Sequence, residues 1–338
     1  MQAEIATADT GIVACSQRTA PSTSLPQLRR LRISVTDRCN YRCLYCMPKQ
    51  GVPNLAYASL LSLEEMVRHV AWLSSYAGIS SVKLTGGEPL VRKGISGLIQ
   101  QLAALPAIHE VSLTTNGSLL ASMAEGLKAA GLKRVNISLD SIHADRFTEI
   151  TRGGILQHTL EGIEAAQRAG LTPIKLNTVL RRSTWKQEMP DLLDYAASIG
   201  AEIRFIELMR MGTEHEWCNS EFVSVDEVRN QFGAEILLED HSGPAPAQRA
   251  LLRWQGRIVT VGWITPRSHP FCRRCDRLRM DARGLLRRCL MDSSTLDLPH
   301  LLSTMDAPSA YRSFDSYIAG KVQPQTMESP FAMSQIGG

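Results

Sequence analysis

Three cysteines fall within eight positions of the stretch TDRCNYRCLYCMP: Cys39, Cys43 and Cys46, spaced C-x3-C-x2-C. Three more, Cys272, Cys275 and Cys289, lie far downstream as C-x2-C-x13-C, opening in PFCRRCDRLR. Thiolates grouped in this way bind soft metals. A closed iron–sulfur cubane takes four cysteines, and a structural zinc site takes four nitrogen or sulfur ligands. Each group supplies three, with no obvious fourth ligand nearby. Such a set fits a four-iron cluster whose remaining iron is open to a small molecule. Zinc completed by a distant residue is the alternative, and for the second group alone both readings stand.

The residues around the first group add to this. Tyr45 places a flat ring directly before Cys46. TGGEP, residues 85–89, supplies two glycines that allow close backbone approach and Glu88 as an acceptor for an ammonium group. Downstream, Arg277 and Arg279 alternate in an extended stretch and so point the same way. Arginine suits bidentate binding of phosphate oxygens. The other nearby arginines, Arg273, Arg274, Arg283, Arg287 and Arg288, read as solvated surface.

Positioning these residues requires a repeating scaffold. Strands are expected at 31–36, 81–85, 110–115, 134–139, 173–179 and 202–208. Helices fall between them: one after the capping box Ser62/Glu65, closed by Gly78, then 95–105, 119–130, 159–169 and 186–199. Apolar, β-branched strands separated by helices build a parallel sheet with helices outside. Six such units without a Gly-x-Gly-x-x-Gly fingerprint predict an α/β fold, an incomplete (βα)6 barrel. In barrels of this kind, ligands bind at the C-terminal strand ends, where both TGGEP and the first cysteines fall. The expected organisation is a loose tail over 1–28, the barrel over 29–212, and an extension over 213–338. That extension carries a short helix at 225–232, two or three strands and the second cysteine group across the barrel mouth.

Composition excludes several classes. The 338 residues are 44% hydrophobic and 21% charged, with net charge +4, which is too small to argue for a nucleic-acid binder. No run of eighteen apolar residues appears, so no membrane span is expected, and the first thirty residues do not read as a secretory signal. Eight cysteines in such a chain point to a reducing cytoplasm and to metal or catalysis rather than disulfides.

On CNYRCLYC, TGGEP and the six βα units, the sequence resembles the radical S-adenosylmethionine (SAM) enzymes. With C-x2-C-x13-C, Arg-x-Arg and the terminal Gly-Gly, it is similar to one family among them, the GTP 3′,8-cyclases of molybdenum cofactor biosynthesis. The resemblance runs from about Leu31 to Gly338. It implies a lyase with two [4Fe-4S] clusters, on Cys39, Cys43 and Cys46 and on Cys272, Cys275 and Cys289. SAM would chelate the first and be cleaved to a 5′-deoxyadenosyl radical. It implies SAM contacts at Tyr45, Gly87, Ser138 and Met209. GTP contacts would be Arg32, Lys83, Thr114, Lys175, Arg277, Leu278 and Arg279. Gly337 and Gly338 would enter the active site and support turnover.

The resemblance also implies a low-potential electron donor, a downstream cyclic pyranopterin monophosphate synthase and a homodimer. Neither nucleic acid nor membrane is expected as a partner. This chain departs from the family at Lys83, where arginine is frequent; lysine keeps the charge but loses the fork. No role is assigned to Cys15 or Cys218. A peptide-modifying radical SAM enzyme with an auxiliary cluster is the alternative within enzymes, and a zinc-stabilised nucleotide- or RNA-binding protein the alternative outside them.

Overall fold

The computed structural model describes residues 26–212, 215–233, 235–240, 246–322, 328–329 and 331–336. Six strands, β1 (Arg30–Ser34), β2 (Ser81–Thr85), β3 (Glu110–Thr115), β4 (Arg134–Ser138), β5 (Lys175–Leu180) and β6 (Glu202–Glu207), lie parallel in chain order. Between them run α1 (Leu63–Ala77), α2 (Ile95–Ala103), α3 (Ala124–Ala129), α4 (Ala144–Thr151), α5 (Leu156–Arg168) and α6 (Trp185–Ile199). The capping box forms: Ser62 Oγ accepts from Glu65 N at 3.1 Å, and Glu65 Oε2 accepts from Ser62 N at 2.8 Å. Gly78 ends α1 at φ 74°, a conformation that favours glycine.

Each strand has two unlike faces. Leu31, Ile33, Val82, Leu84, Val111, Leu113, Val135, Ile137 and Leu176 are buried in one core with the helices. Alternate residues, Arg32, Lys83, Thr114, Arg134, Ser138, Lys175 and Arg204, project to the other side. The sequence reading of apolar strands therefore holds for one face only. The sheet is curled around this polar side. Arg32 on β1 feels the charge of Arg204 on β6, although a flat sheet would set strands five places apart at roughly 24 Å. The barrel is open, since the sheet ends at strands that do not meet.

The extension lengthens the same sheet at both edges. It comprises β7 (Arg210–Met211), α7 (His215–Ser220), α8 (Val225–Phe232), β8 (Glu235–Asp240), β9 (Ala247–Trp254), β10 (Arg257–Ile264), β11 (Arg277–Met280), β12 (Leu285–Arg287), β13 (Leu296–Asp297), α9 (Leu298–Thr304), α10 (Ala307–Ala319), β14 (Glu328–Ser329) and α11 (Met333–Ile336). β10 joins β6 in parallel and β11 joins β1 in parallel, which pairs Arg277 with Arg30 and Arg279 with Arg32. The expected two or three strands thus become six between β8 and β13.

Glu207, wholly buried at the end of β6, fastens the extension. Its carboxylate accepts from Val225 N and Arg267 N, each at 3.0 Å, and from Ser268 N at 2.9 Å. A buried carboxylate is tolerated only when its oxygens are satisfied in this way. At the other end of the chain, Leu28, which the sequence reading put in a loose tail, is buried in the main core. The rest of the expected tail, with Cys15, lies outside the described residues, as do Gly337 and Gly338.

Candidate active site

The first cysteine group sits on the loop leaving β1, at the C-terminal end of the barrel. Backbone bonds tie this loop to its neighbours. Arg42 N and Leu44 N donate to the carbonyls of Thr151 and Ile150 at 3.0 Å, using orphan acceptors at the end of α4. Gly87 N donates to Thr36 O, and Glu88 N to Arg38 O, both at 2.8 Å. The glycines of TGGEP have a structural cause here. A Cβ on Gly87 would lie 2.3 Å from Arg38 O, and one on Gly86 2.6 Å from Thr36 O. They let the second βα loop pack on the first.

Glu88 differs from its expected part as an acceptor for an ammonium group. Its carboxylate, 1% exposed, accepts from Thr115 Oγ1 at 2.7 Å, Asn116 N at 2.8 Å and Leu90 N at 3.1 Å. Burial raises it to about 7 against those bonds. It knits the β2 and β3 loops beneath the site.

Burial also raises the thiols of this group, Cys39 to about 11 and Cys46 to about 12, with Cys43 pushed well up by burial and then by Cys46. Tyr45 is held by its hydroxyl, which donates to Asp140 Oδ2 at 2.7 Å; Asp140 Oδ1 in turn accepts from Val179 N at 2.8 Å.

In the second group, Cys275 N donates to Cys272 O at 3.1 Å, and Cys289 follows β12 across the edge of the sheet. Cys272 feels Cys289 and Cys275 electrostatically, so the three thiols converge. None of the seven described cysteines forms a disulfide. Among the described residues no three Cys, His, Asp or Glu side chains close tightly enough for a single metal ion. Ligands of one zinc stand about 2.3 Å from it, whereas thiolates on separate irons of a cluster stand farther apart. Each set supplies three soft sulfur donors, the ligand type that iron–sulfur clusters take.

The C-terminal segment links the two groups. β14 pairs in parallel with β7, and Met333 N donates to Cys46 O at 3.1 Å. A small apolar cluster of Met211, Leu290, Met291 and Ile336 packs with Met209, Cys289, Phe331 and Met333. The residues preceding Gly337 therefore run past both cysteine groups.

The barrel interior is cationic. Arg32 is held well below the usual guanidinium range by burial, and then by Arg279, Arg277, Arg204 and Arg30. Lys83 is depressed by burial and by Arg32, Arg134 and Arg204. Burial lowers Arg279 to about 10 and Lys175 to about 8. Two carboxylates partly offset this charge. Glu202 meets Arg204 at 2.6 Å, Lys175 at 3.3 Å and Arg249 at 3.3 Å, while Glu110 meets Arg134 at 2.6 Å. Buried cations without matching anions are costly, and an incoming polyanion removes that cost. Thr114 Oγ1 and Asn177 Oδ1 are buried there without hydrogen-bond partners, as expected of groups awaiting a ligand.

The sequence-derived set is thus largely gathered on one face of the sheet: Arg32, Lys83, Thr114, Ser138 and Lys175 on strands, and Arg277 and Arg279 beside β1. Leu278 differs, its side chain being fully buried in the core, so only its backbone can face a ligand. Met209 packs with the small apolar cluster. Arg134, Glu202, Arg204 and Arg249 escaped the sequence reading. Gly262 was a signal for Arg204: a Cβ there would lie 3.0 Å from Arg204 Cγ. Cys218 is buried away from either group, in α7.

Comparison with known proteins bears on this site. The Radical SAM superfamily matches residues 33–196, and Molybdenum Cofactor Synthesis C matches residues 201–324. The GTP 3′,8-cyclase of Pelotomaculum thermopropionicum is 44% identical over 80% of this chain and 84% of its own. That of Moorella thermoacetica is 43% identical over 92% and 98%. Among solved structures, Streptococcus suis SuiB aligns over 88% of this chain and 67% of its own with a TM-score of 0.60 at 14% identity, a likeness of fold. The chain is a member of the GTP 3′,8-cyclase family of radical SAM enzymes.

Proposed function

We propose that the protein converts GTP to 3′,8-cyclo-7,8-dihydro-GTP, the first step of molybdenum cofactor biosynthesis. The observation that carries this reading is the cation-lined barrel interior, with one three-cysteine group after the C-terminal end of β1 and the other ahead of the N-terminal end of the parallel strand β11. A triphosphate would add negative charge to the cationic interior of Arg32, Lys83, Lys175, Arg277 and Arg279, which Glu202 and Glu110 offset only in part. Cys39, Cys43 and Cys46 would hold the cluster, with SAM against Tyr45, Gly87, Ser138 and Met209. Bound there and reduced, the cluster and SAM supply one-electron cleavage chemistry and a hydrogen-abstracting radical.

The chain's own share is positioning. Asp140 fixes the Tyr45 ring, and Glu88 fixes the loops that carry Gly87 and Asn116. The arginines anchor the phosphates at the β1–β11 edge, beside the second cysteine group. Cys272, Cys275 and Cys289 would hold a second [4Fe-4S] cluster, whose open iron would take the purine. Fixing both ends of the nucleotide would hold its ribose and guanine in one orientation for the reaction. Gly337 and Gly338 would complete the site. No helix among the described residues is long and apolar enough to cross a membrane, and a reducing cytoplasm suits clusters of this kind. A low-potential donor, a downstream cyclic pyranopterin monophosphate synthase and a homodimer belong to this reading as partners.

Peptide modification, the alternative, gains only the fold of SuiB, one structure of which is bound to the precursor peptide SuiA. Anaerobically reconstituted protein decides between them. GTP-stimulated formation of 5′-deoxyadenosine with a cyclised nucleotide is expected. Stimulation by a peptide and not by GTP would overturn the assignment.

A further inference from the structure

Lys321 follows α10 in a short turn, Gly320–Val322, and is 7% exposed. Its Nζ donates to Arg288 O at 2.6 Å and faces Cys275 Sγ at 3.7 Å, within reach of a sulfur hydrogen bond. Arg288 immediately precedes Cys289. The ammonium therefore spans the strand end carrying one cysteine and the sulfur of another. The turn that presents it is fixed. Arg288 bonds to Tyr317 O at 3.3 Å and to Asp292 at 2.6 Å, and its guanidinium lies so close over Gly320 that a Cβ there would meet it.

We propose that Lys321 is a positioning residue of the second cysteine group, donating a hydrogen bond to Cys275 Sγ and raising the reduction potential of the cluster held there. Hydrogen bonds to sulfur and local charge are the levers by which a protein sets such a potential. A cation beside the thiolate favours the reduced, more negative state. Arg277, assigned above to the nucleotide, acts on the same thiol, and the role of Lys321 rests on the two-cluster reading above.

The test is a redox titration followed by electron paramagnetic resonance, on reconstituted wild type and on Lys321→Gln, Lys321→Met and Lys321→Arg. The second cluster's signal is assigned in the Cys39→Ala background. Glutamine keeps a donor for Arg288 O and removes the charge, which separates tuning from folding. At the wild-type midpoint, Lys321→Gln and Lys321→Met should lower the reduced-to-oxidised ratio about tenfold, equal to about 59 mV for one electron. Lys321→Arg should restore the ratio. Two clusters, about eight irons per chain, with unchanged ratios would overturn the role of Lys321. A wild-type content of about four irons would overturn the two-cluster reading beneath it.

Discussion

The two cysteine groups share a ligand count and differ in what surrounds it. Around the first, burial raises Cys39 to about 11 and Cys46 to about 12, with the carboxylates of Glu88 and Asp140 close by. Around the second, burial also raises Cys275, yet Arg277 and Lys321 overcome it and pull the thiol down to about 7. An apolar, acid-flanked pocket disfavours added negative charge only until a metal compensates it, and it suits a strongly reducing cluster. A cation-flanked group suits the binding of an anionic substrate. On the proposed reading the first group, after the C-terminal end of β1, serves SAM and the second, around the start of the parallel β11, serves the nucleotide; the C-terminal segment, touching Cys46 O and packed on Cys289, joins the two.

The largest effects should split along this line. Cys39→Ala should reduce 5′-deoxyadenosine formation to background. Cys289→Ala should leave SAM cleavage measurable while cyclised nucleotide disappears, as read by chromatography of both products. Equal loss of both in the two variants would erase the division.

Charge in the barrel comes next. Truncating a buried charge that pairs with a ligand costs about 2–5 kcal/mol. Arg277→Ala and Arg279→Ala should therefore each weaken GTP binding by roughly 30-fold or more, and SAM binding by at most about twofold. Calorimetric titration with each ligand checks this; matching losses for GTP and SAM would remove the arginines from the nucleotide side.

Smaller again is the packing of the two loops that carry the SAM side. Gly87→Ala forces a Cβ toward Arg38 O and should cost about 1–3 kcal/mol. Gly97→Ala, inside α2 with nothing within 4 Å of its Cβ, should stabilise by about 0.5–1 kcal/mol. Urea midpoints of the two variants should move in opposite directions.

The smallest effect concerns pH. Burial lowers Lys175 to about 8, against the pull of Glu202. The charged form binds phosphate, so GTP affinity should fall as pH rises through about 8, while SAM affinity stays level. Lys175→Arg, charged throughout, should flatten the profile. A flat wild-type profile would place Lys175 outside the phosphate contacts.

Much of this was legible in the residues. The six strands announce themselves because their helix-side faces are mostly apolar, rich in Val, Ile and Leu, and the cysteine spacings stand out in a chain with only eight cysteines. The helix over 144–151 is easily missed: His143 caps it without a side-chain bond, and the segment is mostly polar. The interior charges were partly visible as alternation, in Arg134, Asn136 and Ser138 on β4. Their meaning depends on curling, which brings β1 and β6 to face each other and no local pattern encodes. The same holds for β10 and β11, whose places at opposite edges of the sheet depend on long-range pairing. The glycines of TGGEP read as space for a ligand; that they also leave space for a neighbouring loop is seen only in the structure.

The central claim is that this site reacts GTP at its ribose. The most direct measurement is an anaerobic turnover with SAM, dithionite and GTP deuterated at C3′. Deuterium recovered in 5′-deoxyadenosine is the predicted result. Cleavage of SAM without transfer of label, in protein shown to contain its clusters, would contradict it.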